Sequence, residues 1–591
     1  MKLHILNLPS SAIRHDSNAD RFGALPQRLS HAIGLILITM LLALFAAPGV
    51  NGASVTGEHG IVATVHPLAT EAAIQAMKQG GNAIDAAVAA ALTLGVVDGH
   101  NSGLGGGCFM LIRLANGSVA AIDGREMAPA RATRDMFLRE GKVDSSLSLT
   151  GPLAAGVPGS LAAYDYALKH YGKLSLKALL LPAAQLADQG FPINRHYAAR
   201  IAASVDELKH FEAARSIFLR ADGTPFHAGE ILRQPDLARS YRAIAATGTD
   251  WFYRGPFAKA AGEWMTKNGG LLRAEDFQKY QARIREPVRT TYRGCEIIGF
   301  PPPSSGGVHV AQILNVLECF DLKSMGANSA DFIHVVAETM KLAFADRAHW
   351  LGDPDFAPVP LGLISKEYAA RLARQIKLDR VTPVPQHGTP EGAGQNIFGK
   401  HTTHFSTADA EGNWVACTAT VNTSFGSKVV VPGTGVVLNN QMDDFSIQPG
   451  VSNFFGLIGA EANAVAPGKR PLSSMSPTIV LKDGKPILSV GAAGGPTIIS
   501  QTLLAIINTI DFGLPVDAAL AQARFHHQWK PDELQIERKV SETVRNVLVR
   551  RGHKLQVVDS LGAMQAVGLG SQANRFSGAH DPRLEGKAAG F

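Results

Sequence analysis

Charge and cysteine are the two things this chain has little of. Asp, Glu, Lys and Arg make up 18% of its 591 residues and leave a formal net charge of +6. No basic cluster interleaved with aromatics accompanies that thin surplus, so nucleic-acid binding finds no support. The four cysteines (Cys108, Cys295, Cys319 and Cys417) lie far apart with no Cys-x-x-Cys pair, which argues against a zinc site built from them. Cys295 and Cys319 could bridge in an exported protein, although unpaired buried thiols are commoner; the sequence leaves both readings open. Internal repeats and low-complexity tracts are also missing, which removes solenoids and propellers from consideration.

What is present describes a large globular chain. Hydrophobic residues reach 46%, and 60 glycines and 32 prolines without a period imply many tight turns. One uncharged apolar run, residues 32–47, follows Arg14, Arg21 and Arg28 and leads into Gly49, Gly52, Ala53 and Ser54. That is the layout of a secretory signal. The run falls short of the roughly 20 apolar residues of a spanning helix. Residues 1–53 are therefore expected to be a signal peptide, with membrane anchoring by residues 32–50 as the alternative. The expected location is periplasmic or extracellular.

Beyond Ser54, residues 70–78 carry helical apolar spacing that stops at Gly80-Gly81. Residues 85–97 are alanine-rich and apolar on most sides, which predicts a buried helix. The glycine-rich run at 102–108 is a poor dinucleotide loop: Cys108 stands where the last glycine of G-x-G-x-x-G belongs, and a strand pattern follows at 109–113. Close backbone packing is the expected use of those glycines. Residues 150–350 read as mostly helical, interrupted at 301–307, with helical spacing resuming at 308–319. Residues 381–400 are crowded with Pro, Gly and polar residues and read as a linker, which ends abruptly at Thr402.

The pattern then turns to strands. Residues 404–408 and 414–421 alternate on either side of a turn at 409–413. A hairpin centred there sets Thr402 within about two residues of facing Thr420, with Asn422 just beyond. A threonine hydroxyl is a poor nucleophile without a base. Cutting the His401–Thr402 bond would give Thr402 its own, a free α-amine with a pKa near 8. The same hydroxyl can make that cut, by attacking the carbonyl of His401, shifting the acyl group to oxygen and leaving an ester for water. A Thr-Thr pair is ordinarily no more than two β-branched strand residues, so the downstream segments decide.

Asn439 to Phe445 packs amides and carboxylates together. Asp444, with oxygens from Asn422 and Gln441, could grip the α-ammonium of an amino-acid substrate; a solvated turn is the alternative. Further on, residues 487–490 read as a strand, 491–495 as a sharp glycine turn and 497–510 as a helix. Backbone amides at such a turn can face a developing oxyanion. The His526-His527 and His401-x-x-His404 pairs read as structural. Neighbours on a strand face opposite ways, and the nearest carboxylates, Asp532 and Glu533, follow a proline. No metal site is expected.

Ordered blocks along most of the chain carry a resemblance: GLGGG at 103–107, DGREMAPARAT at 123–133, PPPSSGG at 301–307, ADRAHWLGDPDF at 345–356, TTHFS at 402–406, NNQMDDFS at 439–446, RPLSSMSPTIV at 470–480 and RFHHQWKPDEL at 524–534. From about Gly60 onward the sequence closely resembles the γ-glutamyltransferases (γ-glutamyltranspeptidases) of the N-terminal-nucleophile hydrolase superfamily. The resemblance implies a four-layer αββα sandwich of two stacked antiparallel sheets, and no cofactor. It implies that Thr402 both cuts the precursor and accepts the acyl group, that Thr420 orients it, and that the amides of Gly494 and Gly495 form an oxyanion hole. Arg125 and Ser473 would hold the substrate α-carboxylate, Asn422, Gln441 and Asp444 its α-ammonium, and Ser474 would support the site. Residues 449–459 would form a lid, with Phe455 where some members carry a tyrosine.

A large fragment of residues 54–401 and a small one of residues 402–591 would then form a heterodimer. The implied chemistry is γ-glutamyl transfer from glutathione and related compounds to amino acids, peptides or water. Two rivals remain: an acylase of the same fold acting on β-lactam side chains, and an unprocessed relative that only binds. The retained Asp444 favours an amino-acid-like acyl donor.

Overall fold

The computed structural model describes residues 54–391, 403–448, 450–570 and 575–591. The signal segment, residues 392–400 of the linker, His401 and Thr402 lie outside these residues. The described chain from Ser54 onward belongs to one compact unit.

Fourteen strands build its two seven-stranded sheets. In chain order they are β1 (Val55–Gly57), β2 (Gly60–Thr64), β3 (Gly107–Arg113), β4 (Val119–Gly124), β5 (Arg283–Arg285), β6 (Val288–Tyr292) and β7 (Cys295–Gly299). After the linker come β8 (Thr403–Asp409), β9 (Trp414–Thr420), β10 (Thr478–Lys482), β11 (Lys485–Ala493), β12 (Ala563–Leu569), β13 (Phe576–His580) and β14 (Lys587–Gly590). One sheet runs β1-β13-β12-β11-β10-β7-β6, the other β14-β2-β8-β9-β3-β4-β5, and every pairing in both is antiparallel. Each sheet therefore takes strands from both sides of residues 401–402. Neither side alone could complete either sheet.

The sheets stack through their inner faces, where Phe109, Phe300, Trp414, Ile479 and Val567 form a buried layer. That layer explains why β8 and β9 are buried on both faces, since helices cover the outer side. On the outer face of the second sheet lie α1 (Pro67–Lys78) and α2 (Ala83–Val97). On the first lie α4 (Gly306–Leu317), α5 (Ala330–Trp350) and α6 (Thr497–Ile510), while α3 (Arg195–Ala203) flanks the site. The layers run α, β, β, α, as the resemblance implied.

The second helix begins two residues earlier than its apolar pattern suggests, because Asn82 and Asp85 close a capping box. Such a box satisfies two otherwise orphaned amides and contributes about 1 kcal/mol. Every residue of α2 is buried, which is what an all-round apolar helix requires. Residues 150–350 are mostly helical, as expected, but the stretch also contributes strands. Residues 283–299 supply β5, β6 and β7, short β-branched and arginine-rich strands whose alternation is masked by flanking helices. Cys295 and Cys319 are both free thiols, the first buried and the second exposed.

Candidate active site

The hairpin carries the site. In it Thr403 pairs with Ala419 and Ala408 with Trp414, the register that the alternation called for. Asp409 anchors its turn by accepting from Asn413 and, at 2.7 Å, from the amide of Ala83 at the start of α2. The glycine run packs against the other end of the hairpin. A β-carbon on Gly106 would collide with the carbonyl of Thr420, and one on Gly105 with that of Val437. Close backbone approach is thus what these glycines permit.

Past Thr420 the chain leaves the sheet through Asn422, whose φ of 81° is left-handed. The Thr420 hydroxyl accepts from the amide of Asn422 at 2.7 Å. Asn422 Nδ2 donates to the carbonyl of Asn440 at 2.9 Å, while Asn439 and Asn440 bond to Gly105, Gly156, Leu149 and Thr423. The asparagines therefore form the frame on which the short helical turn Gln441–Asp444 sits.

Arg125 is wholly buried and bonds Asp444 Oδ2 through Nη2 at 2.5 Å. Its Nε and Nη2 also donate to the carbonyls of Pro471 and Leu472 at 2.8 and 2.9 Å. Gln441 Nε2 donates to the same Asp444 oxygen at 3.0 Å. Ser473 and Ser474 follow directly on the strip that holds Arg125. The Ser473 hydroxyl accepts from the amide of Met475, and that of Ser474 accepts from Arg347 Nη2 at 2.9 Å. The groups expected to hold the two ends of a zwitterion thus lie in one buried cluster, with guanidinium and carboxylate bonded to each other.

Sequence reasoning gave Arg347 no role. It lies on α5 within the ADRAHWLGDPDF block, and that block was the only signal. Burial draws its guanidinium down to about 9, against the pull of Asp444, so it remains a cation at neutral pH. It also bonds Ser305 Oγ at 3.1 Å, so it joins the 301–307 segment to the serines.

Asp98 was missed too. It follows the last residue of α2 and accepts from Thr403 Oγ1 at 2.9 Å and Asn101 Nδ2 at 3.0 Å. Burial pushes its carboxyl up to about 7, against the pull of these two hydrogen bonds. Nothing in the sequence pattern separates it from an ordinary helix-end aspartate.

At the end of β11 the backbone turns through Gly494 and Gly495, with φ values of 127° and 67°, into α6. A cavity of about 730 Å³ opens here, and its lining includes Gly494, Thr403, Asn422 and Asp98. Phe454 and Phe455 form part of its rim. The amide of Phe454 donates to Asp443, and Gln528 Nε2 donates to the carbonyl of Phe455 at 3.1 Å. Residues 451–453 and 457–459 line a smaller pocket with Asp444 and Arg347. Of the histidines flagged in the sequence, His404, His526 and His527 are described and have local partners. His404 bonds the hydroxyls of Thr418 and Ser406, and His527 bonds Asp532.

A stacked antiparallel sandwich, a buried guanidinium–carboxylate cluster and a glycine turn sharing one cavity with a strand's first residues define an amide-cleaving enzyme of the N-terminal-nucleophile class. The family profile described as Gamma-glutamyltranspeptidase matches residues 69–591, and the chain belongs to that family. The glutathione hydrolase proenzyme of Escherichia coli (strain K12) is 45% identical over 541 residues, covering 91% of this chain and 93% of its own. An acylase ACY 1 proenzyme of Pseudomonas sp. (strain SE83) is 38% identical, covering 85% and 88%. Among solved structures, cephalosporin acylase from Bacillus halodurans superposes with a TM-score of 0.83 at 30% identity, covering 93% of this chain and 98% of its own. Helicobacter pylori gamma-glutamyltranspeptidase gives 0.54 at 41% identity, covering 55% of this chain and 93% of its own.

Proposed function

We propose that the protein matures by cutting itself between His401 and Thr402 and then hydrolyses or transfers the γ-glutamyl group of glutathione and related compounds. Thr403, which follows Thr402 in the chain, pairs with Ala419, next to Thr420, and this supports the sequence-based expectation that Thr402 and Thr420 act together. The freed α-amine takes the hydroxyl proton as Thr402 Oγ1 attacks the γ-carbonyl carbon. The C–N bond breaks, that proton passes to the leaving amine, and a γ-glutamyl ester remains on Thr402. An acceptor amine or water then attacks the ester and returns the hydroxyl. Gly494 and Gly495, at the N-terminus of α6, are assigned to the oxyanion of both steps.

The observation that carries this reading is the Arg125–Asp444–Gln441 cluster. A substrate with both an α-carboxylate and an α-ammonium can engage Arg125 and Asp444 separately and replace their mutual ion pair. A glutaryl amide has the carboxylate but no ammonium, so it would leave Asp444 without a cation. Ser473 and Ser474 are assigned to the carboxylate side and Asn422 to the ammonium side. An exported location, periplasmic or extracellular, accords with the N-terminal sequence.

The likeness to acylases makes the donor the deciding test. Initial rates on glutathione and on the matching glutaryl amide should differ by about 10²-fold or more in favour of glutathione. Equal rates, or a preference for the glutaryl amide, would make the protein an acylase instead.

A further inference from the structure

The cavity that Thr403, Asn422 and Gly494 line also holds a group of charges that the reaction as described does not use. Lys428 is only 7% exposed, lines the cavity, and has a left-handed φ of 63°. Its ammonium bonds only neutral oxygens among the described residues, the carbonyl of Gly426 at 3.1 Å and Thr423 Oγ1 at 3.4 Å. Burial lowers its pKa, and the charge of Glu207 opposes that shift. A buried ammonium with no ion pair carries a large desolvation cost unless an anion visits it.

Arg200, at the exposed end of α3, lines the same cavity. It makes no ion pair among the described residues, and its Nε donates to His196 Nε2 at 3.5 Å. Asp98 feels the charge of Arg200 and also holds the Thr403 hydroxyl. Lys428, for its part, bonds the side chain of Thr423, directly after Asn422. Both cations are thus tied through single contacts to residues beside the reacting centre.

We propose that Lys428, assisted by Arg200, forms a subsite for the C-terminal carboxylate of the peptide amine that leaves the donor and of the one that accepts the acyl group. This rests on the function proposed above. Leaving amine and acceptor amine reach the same ester from the same side, so one subsite serves both. An extended dipeptide spans about 7 Å, which carries a carboxylate well away from the reacting nitrogen. Glu207 and Glu585, which also line the cavity, would repel it, so the cations and not the cavity as a whole determine binding.

The test uses the full-length mature protein, γ-glutamyl-p-nitroanilide as donor, and glycylglycine or glycylglycinamide as acceptor. The wild type should favour the free carboxylate by about tenfold in kcat/KM. In Lys428→Met that ratio should fall to about one, and in Arg200→Ala by about threefold. A ratio compares two acceptors on one preparation, so partial misfolding does not move it. If Lys428→Met yields no folded protein, Arg200→Ala on its exposed helix end carries the same readout. A wild-type ratio near one, or variants that keep the wild-type ratio, would overturn the subsite alone. No p-nitroaniline release by the wild type would overturn both the subsite and the proposed function.

Discussion

The donor cluster and the cations of the cavity balance their charges differently. In the donor cluster Arg125 and Asp444 are both buried and bonded to each other, and Gln441 and two backbone carbonyls hold them in place. In the cavity Lys428 and Arg200 make no ion pair among the described residues, and Arg200 sits on an exposed helix end. A substrate entering the donor cluster exchanges one ion pair for two, in a geometry already fixed. One reaching the cations of the cavity supplies the missing anion. Selectivity for the acyl group is therefore built into a rigid frame, whereas the amine is recognised by charge at longer reach.

The largest effect should come from breaking the donor pair. Asp444→Ala leaves the buried Arg125 guanidinium with only the longer carboxylate contact, to Glu126 at 3.4 Å, a loss of about 3 kcal/mol. Turnover of γ-glutamyl-p-nitroanilide should fall about 10²–10³-fold in kcat/KM, while self-cleavage, which the account assigns to Thr402 and not to Asp444, should survive. Turnover within a few-fold of wild type would refute its role in binding. The Lys428 and Arg200 variants should change acceptor preference by about tenfold or less.

The smallest effect concerns Asp98, which lines the cavity beside Thr403. Its carboxyl is raised from 3.8 to about 7 by burial. From about pH 4 to 7 the folded state therefore holds a proton that the unfolded state has lost, so this group's contribution to stability falls as pH rises through that window. Asp98→Asn removes the dependence. The variant's melting temperature should gain on the wild type by about 1–3 °C between pH 5 and 8. A gap that stays constant, or that shifts the other way, would contradict the burial-driven shift.

Much of this was readable in the sequence. Alternation on both sides of residues 409–413 gave β8, β9 and their register, because a buried hairpin cannot slip by one residue without turning its core face outward. The apolar run of α2 and the pattern of α6 were equally direct. The strands β5 to β7 were not, since short segments with arginines at alternate positions look like helix surface until their partners are known. Asp444 stood out in the amide- and carboxylate-rich segment 439–445 and Arg125 came through resemblance, but their bond to each other was not readable: 319 positions separate them. Asp98, Arg347 and Lys428 were unreadable for a related reason. Each gains its meaning from what lies opposite in space, and no local pattern marks Lys428 as bonding only neutral oxygens.

Whether one threonine both matures and runs the enzyme is settled most directly by intact-mass and gel analysis of purified wild type and Thr402→Ala. The account predicts two chains for the wild type, the smaller beginning at Thr402, and a single uncut chain for the variant. A Thr402→Ala protein that still divides between residues 401 and 402 would contradict it.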